Sequence, residues 1–153
     1  MDVKYINPFI ESFTDVMPQL GFDNVKMGAL NTKGNEVTGS GIIIVLGIVG
    51  TVRGNVVYMI DTESAKQIAS TMMGGAPVDE LDEMANSALS ELTNMLTATA
   101  ATCFSNSGIT IDISTPTMLQ GVNMSINMTS EQTVGVQLLA DDIPIEINIS
   151  LED

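Results

Sequence analysis

At 153 residues, with 44% apolar content and a mean hydropathy of +0.28, the chain suits a single folded domain, 1–153, rather than two domains or a disordered polymer. Its formal charge is −14 against five cations, Lys4, Lys26, Lys33, Arg53 and Lys66. Such a surface repels phosphate backbones and anionic lipid, which argues against nucleic acid and membranes as partners.

Aromatic residues are scarce and tryptophan is absent, so the core must be built from Ile, Leu, Val, Met and Ala. Cys103 is the one cysteine, so no internal disulfide forms, and with no secretory pattern at the start the expected location is the cytoplasm.

Asn7 followed by Pro8 reads as an N-cap and first helical position. Phe9, Ile10, Phe13, Val16, Met17 and Leu20 then recur at helical spacing, predicting a helix over 7–20. From 24 to 61 the pattern turns to strands: VKMGALNTK, EVTGSGIIIVLGIVG and TVRGNVVYMID, with KGN at 33–35 as a turn and Gly50 and Gly54 bracketing another. The apolar run 41–52 is too short for the roughly 20 residues that span a bilayer, so membrane insertion is not expected.

Asp61 and Thr62 cap a second helix that stops at Gly74 and Gly75. The acidic loop APVDELDE leads into a third over 83–105, closed by 106–108, with its carboxylates complementing the helix N-terminus. The remainder reads as strands: ITIDISTPTML, VNMSINMT, TVGVQLLA and IPIEINISL, the last with Ile143, Ile145, Ile147 and Ile149 on one face. Helices and strands segregate, which predicts an α+β fold with helices packed on a mainly antiparallel sheet. Asn7-x3-Glu11-x2-Thr14 in the first helix echoes Ser87-x3-Glu91-x2-Asn94 in the third, as a pseudo-two-fold duplication would produce.

The third helix carries the candidate site. With Glu91 at zero and about 100° per residue, Ser87 lies near −40° and Asn94 near −60°, opposite an apolar stripe of Ala85, Leu89, Leu92, Leu96, Thr99 and Cys103 at about 80° to 160°. Polar residues on an exposed helix face are ordinary, and composition does not by itself make them a site. Asn is nevertheless a mediocre helix former with no packing reason to stand there. Ala88, Met95, Ala98 and Ala101 leave the surface beside it open to a partner. A carboxamide donates and accepts without titrating, so it can hold an attacking water in line, as in GTP hydrolysis. The chain has no phosphate loop, no cation cluster and no evident metal site, so the lysine, the metal and the phosphate would all have to arrive on a partner.

Ser87-x3-Glu91-x2-Asn94-x21-Pro116, within SALSELTNM and ISTPTML, resembles the signature of the CheC/CheX/FliY chemotaxis phosphatases. GTVRGNVVYMID, SAKQIASTMMGG and PTMLQG also sit where that family has them, and one intact motif in a chain of this length resembles CheX. The resemblance implies a phosphatase for the phospho-aspartate of a CheY-type response regulator. Asn94 would orient the hydrolytic water and Glu91 would pair with the regulator's active-site lysine. Ser87 would be a contact or helix-positioning residue, Ala98 on the open surface would be a contact, and Pro116 would shape the strand that supports the helix. The resemblance further implies a homodimer joined through its sheets, no cofactor or metal of its own, and Mg²⁺ supplied by the bound regulator. Thr14 stands where a second site would need Asn, so no second phosphatase site is expected, and Glu11 should be merely solvated.

Two rival readings remain at this stage. One is a non-catalytic regulator-binding or flagellar-switch-type adaptor, which would have no reason to keep the amide. The other is a ligand-binding domain whose polar helix face is incidental. Cys103, on the apolar stripe, reads as core rather than nucleophile. Most of the eleven methionines read as core filling, and Gly39, Gly41, Gly47, Gly50 and Gly54 as strand bends and turns.

Overall fold

Helix capping and apolar spacing predict three helices, and all three form in the computed structural model, which describes residues 3–153. They are α1 (Asn7–Gln19), α2 (Thr62–Met72) and α3 (Glu83–Asn106). The strands are β1 (Val25–Lys33), β2 (Glu36–Gly50), β3 (Arg53–Ile60), β4 (Ile111–Ile113), β5 (Thr117–Asn127), β6 (Thr133–Ala140) and β7 (Ile143–Glu152).

Asp61 caps α2 through Ser64 N–H and Asp82 caps α3 through Ala85 N–H, each at 2.9 Å. At α1 the expectation fails. Ile6 holds the cap position with no side-chain bond, and Asn7 is already helical. A 3₁₀ turn over Val3–Tyr5 feeds the helix, and burial of Ile6 sets its start. α1 and α3 end alike, on a positive-φ glycine (Gly21 at 103°, Gly108 at 82°). In each case the next residue, Phe22 or Ile109, donates its N–H back five residues to Met17 or Phe104.

The strands make one sheet, ordered β1-β6-β7-β3-β2, with β4 and β5 both along the outer side of β2, and every pairing is antiparallel. Exchanging β1 with β5, β2 with β6 and β3 with β7 reverses that order and leaves it otherwise unchanged. α1 precedes one trio and α3 the other, which is the pseudo-two-fold layout the helix echo predicted; α2 lies between the halves.

Two strand expectations need correction. ITIDISTPTML is not continuous, since residues 114–116 separate β4 from β5, and its TML end runs on through VNMSIN as the single strand β5. Ile113 pairs Ile48 and Thr117 pairs Val45, so three residues face two, and Ser114 Oγ accepts from Gly47 N–H at 2.8 Å. Pro116, having no N–H to give the ladder, sits in that bulge.

Alternation along the strands divides the sheet. Ile42, Ile44, Leu46, Ile48, Val56, Tyr58 and Ile60, with Ile145, Ile147 and Ile149, face the helices in the main core. On the opposite face Ile43, Val57 and Met59 pack with Val37 and Met128, because the β2–β5 ribbon folds back past its irregularity at Gly39 and Gly41. Gly41 has φ 106°, and a Cβ there would run into the Ile60 carbonyl oxygen. Most described methionines do fill or flank the cores; Met27 and Met84 are the exposed exceptions.

Candidate phosphatase face on α3

α3 lies across the sheet with Ala85, Leu89, Leu92, Leu96, Ala100 and Phe104 buried beneath it. α1 packs alongside and runs the opposite way. Phe9 meets Phe104 edge-on at 5.8 Å between ring centroids, and three residues further along α1 the Ser12 hydroxyl donates to the Leu96 carbonyl at 2.6 Å. The buried stripe is displaced from the predicted one. Thr93 and Thr97 are fully inside it, whereas Thr99 and Cys103 are only half-buried.

The outward face carries the predicted trio. Ser87, Glu91 and Asn94 are all exposed, as is Ala98, and the four lie within about 60° of rotation along one side of the helix. Among the described residues none of the three polar side chains has a hydrogen-bond or ion-pair partner, so their capacity is free for something outside the chain. Met84, 67% exposed and near 20° on the same scale, extends that face by about one turn beyond Ser87 toward the N-terminus and was not anticipated. Pro116 lies in the bulge between β4 and β5, on the sheet rather than on α3.

The first-helix echo is a different surface. Glu11 and Thr14 are exposed on α1, and the Thr14 hydroxyl bonds to the Ile10 carbonyl of its own helix at 3.0 Å. Glu11 nevertheless has a neighbour in Cys103: burial first, then the Glu11 and Asp15 carboxylates, push that thiol's pKa up. A thiol held protonated among carboxylates is a poor nucleophile. Cys103 is thus half-buried rather than core, and still no nucleophile.

Comparison with known proteins gives the architecture a family. The sequence profile of the chemotaxis phosphatase CheX matches residues 42–139. A CheY-P phosphatase CheX of Thermotoga maritima is 31% identical over 126 residues, 82% of this chain and 81% of that protein. The chain belongs to the CheX family.

Among solved structures, a CheC-like superfamily protein from a Shewanella species superposes with a TM-score of 0.87 at 28% identity, covering 100% of both chains. CheX of Borrelia burgdorferi, solved as a complex with CheY, BeF₃ and Mg²⁺, superposes at 0.83 with 26% identity, covering 99% of this chain and 100% of that one. Ser87, Glu91, Asn94, Ala98 and Pro116 all fall inside the segment that matches the CheX profile, while Glu11 and Thr14 lie outside it. No helix among the described residues is long and apolar enough to cross a membrane.

Beneath the face lies a set of hydroxyls that sequence reading passed over. Tyr58 of β3 is fully buried with its oxygen 2.8 Å from Thr97 Oγ1, and Thr97 Oγ1 donates to the Thr93 carbonyl at 2.7 Å. Burial pushes the Tyr58 phenol's pKa well up, so it stays a neutral donor. The available signal was a tyrosine in the apolar strand NVVYMI, together with threonines four apart in a helix otherwise lined by leucine and alanine.

Proposed function

We propose that this chain is a protein phosphatase that stimulates hydrolysis of the phospho-aspartate of a CheY-type response regulator. The observation that carries this reading is the placement of Glu91 and Asn94, both exposed and unpartnered on one outward face of α3 in a CheX-family chain. Docking inserts that face into the regulator's active site. The Asn94 carboxamide accepts from, or donates to, a water and holds it in line with the phosphorus. The water oxygen forms the new P–O bond, the bond to the aspartyl oxygen breaks, and aspartate leaves as carboxylate while the water's proton goes to the phosphate product. Glu91 pairs with the regulator's lysine, a charge-assisted contact that sets the register of the two proteins. Ser87 and Ala98 line the contact, and Pro116 shapes the supporting edge strand.

The regulator brings the Mg²⁺, which offsets charge on the phosphoryl oxygens; the Borrelia relative solved with CheY, BeF₃ and Mg²⁺ supports that division of labour. The reading places the protein in the cytoplasm as a homodimer joined through the sheet. β1 at the end of the strand order, with Met27 and Leu30 exposed, supports that joint.

The test is the decay rate of a phosphorylated CheY-type regulator in Mg²⁺, with and without this protein and with Asn94→Ala. Acceleration that the variant loses establishes the activity. Binding of the regulator without acceleration identifies an adaptor instead.

A further inference from the structure

We propose that Tyr58, Thr97 and Ser12 are positioning residues for the phosphatase face. A buried hydroxyl relay from Tyr58 of β3 to Thr97, with a second tie from Ser12 of α1, fixes the rotation of the α3 turn bearing Glu91 and Asn94. The inference rests on the phosphatase reading and assigns a role to residues that touch neither water nor regulator.

Donor accounting gives the relay a direction. Thr97 has one hydroxyl proton, and the 2.7 Å contact to the Thr93 carbonyl uses it. The 2.8 Å contact between Tyr58 and Thr97 is therefore donated by the phenol. Thr93 Oγ1 takes no part in the relay: it donates within α3, 3.2 Å from the Leu89 carbonyl and 3.1 Å from that of Ser90. From the other side, Ser12 donates to the Leu96 carbonyl. The two tied positions, Leu96 and Thr97, lie within one turn of Asn94. The Tyr58, Thr97 and Ser12 side chains are all buried.

A purely apolar underside would hold α3 on the sheet equally well. Valine at 93 and 97 would fill similar space, and burying hydroxyls there carries a desolvation cost that valine avoids. What apolar contact does not supply is direction, since burial depends on area and tolerates a small roll of the helix. Hydrogen bonds weaken steeply once misaligned. A roll of about 10° moves a side-chain tip about 6 Å from the helix axis by about 1 Å. A misplacement of that size costs a positioned reaction about 10²-fold. Docking affinity is spread over many contacts and is far less sensitive to it.

The experiment compares Tyr58→Phe, Thr97→Val and Thr97→Ser with the unaltered protein, reading kcat, KM for the phosphorylated regulator, and Tm. Tyr58→Phe keeps the ring and leaves Thr97 its own acceptor. We expect kcat to fall about tenfold with KM within about twofold of its starting value. Thr97→Val should match it, and the double variant should be no worse than Thr97→Val, because the two residues share one bond. Thr97→Ser keeps the hydroxyl and should restore kcat even if the lost methyl lowers Tm. Wild-type kcat in Tyr58→Phe, with or without a lower Tm, would overturn the relay while leaving the phosphatase reading intact. So would a rise in KM at constant kcat, or a Thr97→Ser variant as slow as Thr97→Val. Absence of acceleration by the unaltered protein would instead refute the phosphatase reading, and the relay with it.

Discussion

Replacing Asn94 by alanine separates chemistry from stability because the structure gives the side chain nothing to do inside the chain. It is exposed, mid-helix in α3 and, among the described residues, without a hydrogen-bond partner. Its removal opens no cavity and orphans no buried group. Alanine is the better helix former by about 0.5 kcal/mol, so the variant should be as stable as the original or slightly more. At about 2–4 °C per kcal/mol for a chain of this size, Tm should rise by about 1–2 °C. Hydrolysis should move the other way. Loss of the group that orients the attacking water should lower the rate about 10²-fold, equivalent to about 2.7 kcal/mol of transition-state stabilisation. The assay follows decay of the phosphorylated regulator in Mg²⁺ at saturating phosphatase, with affinity for the phosphorylated regulator measured separately and expected to hold within about twofold. Thr14→Ala on the echoing helix serves as the control and should leave the rate unchanged. A variant that keeps its rate, or that loses it only in proportion to affinity, would refute the water-positioning role. A Tm drop of about 5 °C or more would show that Asn94 holds structure after all.

Glu91→Ala should raise KM as well as lower the rate, and the unaltered protein's KM should increase with ionic strength while that of the variant changes less, because the contact is between charges; equal salt dependence of the two would count against the ion pair. Gly41→Ala forces a side chain toward the Ile60 carbonyl at a backbone φ of 106° and should cost about 3 kcal/mol, read as a lower denaturant midpoint; a loss below about 1 kcal/mol would contradict the packing of the β2 bend. The folded chain holds the Cys103 proton more tightly than the unfolded chain does. Its contribution to stability is therefore intact below the ordinary thiol pKa and is lost as pH rises above it. Iodoacetamide should accordingly label Cys103 more slowly at pH 8.5 than it labels free cysteine, and Glu11→Gln should speed labelling; no change on that substitution would remove Glu11 from the cause.

The phosphatase face was legible in the sequence because it is a property of one helix. Spacings of four and three at 3.6 residues per turn fix where Ser87, Glu91 and Asn94 point relative to Leu89, Leu92 and Leu96, whatever the rest of the chain does. Asp61 was legible for the same reason, since a cap bonds three residues away; Asp82 was read only as charge at the α3 N-terminus, and the structure makes it the cap. Asn7 obeyed the same local pattern and still failed, because Ile6 is drawn into the core and the turn before it starts the helix early. Periodicity also placed Ile143 to Ile149 on one strand face, but not which strands flank β7. Strand order comes from pairings between distant segments, such as Val56 with Ile149, and alternation alone does not choose among them. The same limit hid the contacts around the site. Ser12 meets Leu96, Glu11 meets Cys103 and Tyr58 meets Thr97 across 84, 92 and 39 residues, and each depends on how α1, α3 and β3 are laid together. The sequence by itself determined which side chains leave α3 on a common face; the tertiary structure alone decided what lies beneath that face and holds it, because directional contacts between distant segments exist only once the sheet has set their neighbours.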